Sequence, residues 1–326
     1  MLTDKDLTRA SAETGFRPDA LERVIRLVEL LDTLCRHPYL EPRIALKGGT
    51  ALNLFTFDLP RLSVDIDINY VGARDRETMR AERPKMEQAI EAVCGRLGIQ
   101  IRRVPQEHAG GKWRLSYASV SGSSRVLELD TNFVLRTPLW PPRRMDSYPI
   151  GPFRAMQVPV LDVNELAAGK LAALLARDAG RDLFDARELL RRGGVERGPL
   201  RISFVVYGAM NRLDWRTVGI SNVAADPAEV DNKLVPMLRA DVAPDRAALE
   251  AWTRQLVDEC RQLLGIVLPL EPHEREFLSQ LNDGGVIRPD LLTDDDRLAS
   301  TIAEHPGLQW KALNVRKRLG LGGSTR

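Results

Sequence analysis

Two aspartates set two residues apart, Asp65 and Asp67 in Ser63-Val64-Asp65-Ile66-Asp67-Ile68, carry the clearest chemical signal in the chain. From Leu62 to Tyr70 apolar residues occupy even positions through Ile68 and polar ones the odd positions, which predicts a two-faced strand with both carboxylates on one face. Hard oxygen donors at that spacing come within reach of one divalent cation, Mg2+ or Mn2+. A second pair, Glu128 and Asp130 in Leu127-Glu128-Leu129-Asp130, adds a third carboxylate if its strand lies beside the first, and Asp130 is favoured over Glu128. Such a cation offsets triphosphate charge and stabilises attacking and leaving oxygens, so phosphoryl or nucleotidyl transfer is the chemistry these residues suit.

The turn Gly48-Gly49 supplies the other half. Glycines let a backbone approach a phosphate closely, and the helix expected to start at Thr50 directs N–H groups at the same anion, with the Thr50 hydroxyl as a further donor. An isolated Gly-Gly is more often a tight turn, and an isolated Asp-x-Asp a solvated strand face; their combination in strand, turn, helix and strand is far more specific. Lys170 reads in two ways, as a solvated residue or as a point charge emerging from an apolar helix toward phosphate. Arg177 and Arg181 could serve that anion, although salt bridges with Asp178 and Asp182 are simpler.

The elements follow from apolar spacing and breakers. Helices are expected over Pro18 to Arg36, Arg76 to Leu97, Asn164 to Arg177 and Arg181 to Arg192, with strands at Ile44 to Leu46, Ile99 to Val104, Trp113 to Val120 and Ser124 to Leu135. Six prolines between Thr137 and Pro159 block regular helix and demote any central strand, and the domain boundary is placed there. The expectation is an α+β fold: residues 1–150 form a mixed sheet with flanking helices, and 151–326 form a mainly helical domain. Most of Pro227 to Arg318 keeps helical spacing with proline breaks.

The bulk composition narrows the class. In 326 residues, 47 Lys and Arg balance 45 Asp and Glu to a net charge of +2, so any surface for nucleic acid must be local. Candidates are Arg102-Arg103, Arg143-Arg144, Arg191-Arg192 and Arg316-Lys317-Arg318, each otherwise a solvated face. Cys35, Cys94 and Cys260 form no CxxC pair, and His37, His108, His273 and His305 lack metal-ligand spacing. The five Trp residues are dispersed and expected to pack in the core or at junctions. Without an apolar leader or a long apolar run, the chain is expected to be soluble and cytoplasmic, with no membrane partner.

The stretches Lys47-Gly48-Gly49-Thr50-Ala51-Leu52-Asn53 and Arg61-Leu62-Ser63-Val64-Asp65-Ile66-Asp67 closely resemble the nucleotidyltransferase toxins of the AbiEii/AbiGii group, which includes the MenT toxins and has a DNA polymerase β-like fold. Asn164-Glu165-Leu166-Ala167-Ala168-Gly169-Lys170, Arg181-Asp182-Leu183-Phe184-Asp185 and His305-Pro306-Gly307-Leu308-Gln309-Trp310-Lys311 extend the resemblance over most of the chain. The resemblance implies catalysis by Asp65 and Asp67, nucleotide binding at Gly48, Gly49 and Ser63, a triphosphate-facing Lys170, and Asp182 or Asp185 as the acid of the last motif. Gly49 and Asp65 are slightly farther apart than in the general superfold pattern. It further implies a nucleoside triphosphate substrate, the 3′ end of tRNA as acceptor with a block of translation, and a cognate antitoxin encoded nearby. Nucleotidylation of a partner protein, or a regulatory module without turnover, are the rival readings.

Overall fold

The computed structural model describes residues 2–105 and 109–320, so His108 lies outside the described residues. The chain divides into two compact units whose borders interleave: residues 1–136, 141–162 and 231–245 in the first, and 137–140, 163–230 and 246–326 in the second. The first unit therefore runs past residue 150 and later takes back a segment from the second half of the chain.

In the first unit, helices α1 (Asp4–Thr14) and α2 (Pro18–Arg36) precede strand β1 (Ile44–Lys47) and the short helix α3 (Gly48–Ala51), which widens into a π-type turn over Leu52–Thr56. Strand β2 (Asp65–Tyr70), helix α4 (Arg76–Arg96), strands β3 (Gln100–Arg103), β4 (Gly110–Ala118) and β5 (Ser124–Asn132), and the short strands β6 (Arg143–Met145) and β7 (Val158–Val160) follow. Among the described residues the strands form one mixed sheet in the order β3-β4-β5-β2-β1-β7-β6. α2 packs against the sheet and against α1 and α4. Leu21, Val24, Ile25, Leu27, Val28, Leu30, Leu31 and Leu34 are all buried, which removes a wide apolar stripe from water.

Two expectations change here, while the helix expected across Pro84 forms. The 62–70 segment joins the ladder only from Asp65, because the Leu62 N–H bonds to the carbonyl of Met237 at 2.7 Å and Arg61 bridges Leu238. Pro159 sits inside the sheet, in β7 between β1 and β6; β7 meets β1 through a single registered pair, Leu46 with Val160, so little ladder is lost to its missing N–H. α4 runs through Pro84, which faces solvent.

The second unit is helical: α5 (Val163–Ala176), α6 (Gly180–Arg192), α7 (Arg197–Ala209), α8 (Pro227–Glu229), α9 (Leu249–Leu263), α10 (Pro272–Gly284), α11 (Asp296–Ala303) and α12 (Pro306–Arg318). α1 and α7 go beyond the expectations. α1 begins with a reciprocal cap between Thr3 and Asp6. The Ile202-Ser203-Phe204-Val205-Val206 run of α7 favours strand locally, but packing on α5 buries Phe204, Val205 and Val206 and decides for helix. No helix among the described residues is long and apolar enough to cross a membrane.

Candidate active site

Register places the acidic residues. β2 pairs with β5 in parallel, setting Asp65 beside Glu128 and Asp67 beside Asp130, while antiparallel β1 sets Lys47 opposite Asp67 and β4 sets Lys112 opposite Asp130. Side chains of registered pairs share a face, so two adjacent strands bring Asp65, Asp67 and Asp130 to one patch of sheet. All three are half-buried.

The glycine turn closes onto this patch. Gly48 has φ of +76°, a backbone that L side chains rarely adopt, and a Cβ there would overlap the Asp67 carboxylate and lie 3.0 Å from its Cγ. Glycine is thus what allows Asp67 to rest against the turn. Thr50 departs from its expected role: it is fully buried and its hydroxyl donates to the backbone carbonyl of Asp65. It ties the turn to β2 and is not a phosphate donor. The Asn53 amide donates to the carbonyl of Gly49 at 2.9 Å, fixing the same turn from the other side. Ser63 is buried just before β2.

Electrostatics separates the two candidates for third carboxylate. Glu128 accepts from the Lys112 ammonium at 2.7 Å and has Arg114 at 4.0 Å, so its charge is already matched. Asp130 has its acidity weakened, first by burial and then by the Asp67 charge, against the opposing pull of Lys47 and Lys112. A like-charge pair left partly unrelieved suits a cation, and a donor set of carboxylates suits a hard one. Among the described residues no three Asp, Glu, His or Cys side chains converge tightly enough to cage an ion alone. A magnesium-sized ion would therefore complete its shell with phosphate oxygens and water, as that ion commonly does.

Lys47 and Lys112 were not singled out from the sequence. Lys47 adjoins the glycine pair, and Lys112 follows Gly110-Gly111 on a predicted strand edge, but only the ladder shows that both face Asp67 and Asp130.

In the second unit, Lys170 is 9% exposed and its ammonium bonds to Asp182 at 2.8 Å and to Asp185 at 2.9 Å, which excludes the solvated reading. Both competitors for the last-motif acid thus meet the same lysine. Burial raises the Asp182 pKa, but Lys170 and then Arg177, 2.6 Å away, outweigh it and hold the carboxyl below the usual range. Arg181 is half-exposed, and among the described residues the pairing expected with Asp178 or Asp182 does not form.

The other expected basic surfaces differ in how their side chains are held. Arg143 pairs with Asp162 at 3.1 Å, Arg144 with Glu41, and Arg191 and Arg192 with Glu188 at 3.0 and 2.8 Å. Arg102 bonds to the Ser116 hydroxyl at 2.9 Å. Arg316 and Arg318 donate to backbone carbonyls, those of Gly285 and Asn282. Trp113 and Trp215 are core residues as expected, whereas Trp310 is 62% exposed and is not. Nδ1 of His37 and of His305 accepts a backbone N–H, from Tyr39 and Gly307, which are structural tasks.

No curated protein matches the chain. Among solved structures, MenT4, a nucleotidyltransferase toxin from Mycobacterium tuberculosis H37Rv, is similar in fold, with a TM-score of 0.58 at 18% identity over 95% of this chain and 99% of that one. Residues 30–279 match the family described as nucleotidyl transferase AbiEii toxin, type IV TA system. That match spans most of the sequence, and the chain belongs to the AbiEii family of nucleotidyltransferase toxins.

Proposed function

We propose that the protein transfers a nucleoside monophosphate from a nucleoside triphosphate to the 3′ end of tRNA, so that the acceptor end is blocked and translation stops. The observation that carries this reading is the Asp67 carboxylate resting against Gly48 with Asp130 beside it in register. Asp65, Asp67 and Asp130 would hold Mg2+ or Mn2+. When bound, that ion offsets triphosphate charge and stabilises the attacking and leaving oxygens.

The residues divide the remaining work. The turn at Gly48 and Gly49, with Ser63, cradles the triphosphate through backbone N–H groups. Asp130 accepts the proton of the attacking hydroxyl, a task that its weakened acidity favours. Lys47 and Lys112 limit the negative charge on the carboxylate patch. Lys170 is the lysine assigned to the triphosphate, held in place by Asp182 and Asp185, and Arg181, with no carboxylate partner among the described residues, is the guanidinium available to the same anion. Pyrophosphate leaves as the α-phosphorus is attacked in line. A cognate antitoxin is the protein partner, and the cytoplasm the compartment.

Incubating the wild type and an Asp65→Ala, Asp67→Ala variant with total tRNA, magnesium and each labelled triphosphate in turn tests this. Label on RNA with the wild type alone is the expected result. Label on protein instead would move the acceptor to a protein hydroxyl, and no label on RNA would end the tRNA reading.

A further inference from the structure

A second basic site lies in the first unit, outside the carboxylate patch. The exposed face of α4 presents Arg76, Arg80 and Arg83, at spacings that place them on one side of the helix, and with Glu87, Val104 and Pro105 they line a cavity of about 430 Å³. Among the described residues, three guanidinium groups and one carboxylate line it. Arg83 bonds to Glu87 at 2.7 Å and stacks over the Phe133 ring, 4.8 Å from its centre, which fixes its plane. Arg76 and Arg80 are exposed and, among the described residues, have no carboxylate at ion-pair distance. Two arginine pairs of this chain differ: Arg143 and Arg144, like Arg191 and Arg192, are matched by acidic partners. Half-buried Arg136 holds its proton less firmly than an ordinary arginine, through burial first, with the Arg76 charge acting in the same direction.

We propose that this cavity is a docking site for the phosphodiester backbone of RNA, engaged by Arg76 and Arg80 with Arg83 as the rigid wall. The inference rests on the RNA acceptor reading above and adds to it a contact remote from the reacting atoms. Unmatched positive charge in a concave, low-dielectric site focuses the field on an anion, and the planar guanidinium fork fits phosphate oxygens in pairs. The row from Arg76 to Arg83 spans about 10 Å along the helix axis, which exceeds a single phosphate and suits a run of them. Phe133 follows Asp130 by three residues, an odd offset that puts its ring, packed on Tyr70, on the opposite face of the sheet from the carboxylate patch, so the cavity is a contact separate from the reacting atoms. A backbone contact of this kind adds affinity and register without reading sequence.

The test measures filter binding of total tRNA to the full chain without nucleotide, across a salt series, for the wild type, Arg76→Ala with Arg80→Ala, and, as a control for net charge, Arg246→Ala with Arg254→Ala, both exposed. Both α4 arginines are exposed, so the fold survives, and an unchanged melting curve checks this. Affinity falling about tenfold or more in the α4 variant alone, with the log–log salt slope shallower by about 0.7 for each phosphate no longer bound, is the expected result. Unchanged affinity and slope overturn the site, and so does an equal loss in the Arg246, Arg254 variant, which would mark a general charge effect. Poly-glutamate competing as well as tRNA for the wild type, but not for the α4 variant, would assign the cavity to an acidic protein segment and overturn the RNA assignment. Label transfer to RNA, run in parallel, separates the claims: transfer intact with binding unchanged removes the cavity alone, and no transfer with binding still dependent on Arg76 and Arg80 removes the acceptor reading alone.

Discussion

At the scale of single residues, the site depends on a carboxylate occupying space that any side chain at position 48 would take. Gly48→Ala is expected to displace Asp67 and to cost on the order of a hundredfold in transfer rate, together with more stability than the about 1–2 kcal/mol that the left-handed backbone costs alone. In the Asp67→Ala background the clash is gone, so the stability loss from Gly48→Ala should shrink toward the backbone contribution; a double-mutant cycle in urea measures this, and full additivity would refute the contact. Asp130 and Glu128 differ in their surroundings and should differ in effect. Asp130→Asn is expected to lower transfer by about a hundredfold or more, and Glu128→Gln, whose partner is an exposed lysine, by less than about tenfold, as read from initial rates of label incorporation.

At the scale of elements, the Lys170 cluster joins α5 to α6 by charge as well as by packing. Lys170→Met would remove this ammonium from buried Asp185 and leave Asp182 with Arg177, and a loss of about 3–5 kcal/mol in denaturant unfolding is expected. The pH dependence has a definite sign. The folded-state pKa of Asp182 lies below its ordinary value of 3.8, so its stabilising contribution is complete above that value and is lost as pH falls through the folded one. The stability gap between the wild type and Asp182→Asn should therefore be constant near neutrality and narrow as pH falls below the ordinary value of 3.8; a gap that widened with acid would contradict the ion pair.

At the scale of the whole molecule, the chain does not divide at a point. The segment 231–245 completes the first unit: the Leu62 N–H bonds to Met237, the Arg239 N–H to the carbonyl of Pro60, and the Arg239 side chain to the carbonyl of Asp58 at 3.0 Å. A fragment of residues 1–162 would leave these groups unpaired and the strip around Leu62 uncovered. It is expected to melt broadly and bind a hydrophobic dye, whereas the same fragment joined through a flexible linker to 231–245 should regain a cooperative transition. A sharp melt from the shorter fragment would show that the returning segment is dispensable.

The sequence by itself determined what local rules can carry. Strict alternation from Leu62 put Asp65 and Asp67 on one face, apolar spacing placed α2 from Pro18 to Arg36, and the glycine pair marked the turn between strand and helix. These depend on neighbours within a turn or a pleat, where residue type and spacing are sufficient. Tertiary structure decided what depends on pairing between distant segments: which carboxylate joins the pair, which lysines face it, that Thr50 secures a backbone carbonyl, that Lys170 is buried between two acids, and that residues 231–245 return to the sheet unit. No period or composition encodes such facts, because strand register and helix packing are settled by the burial of whole faces against one another.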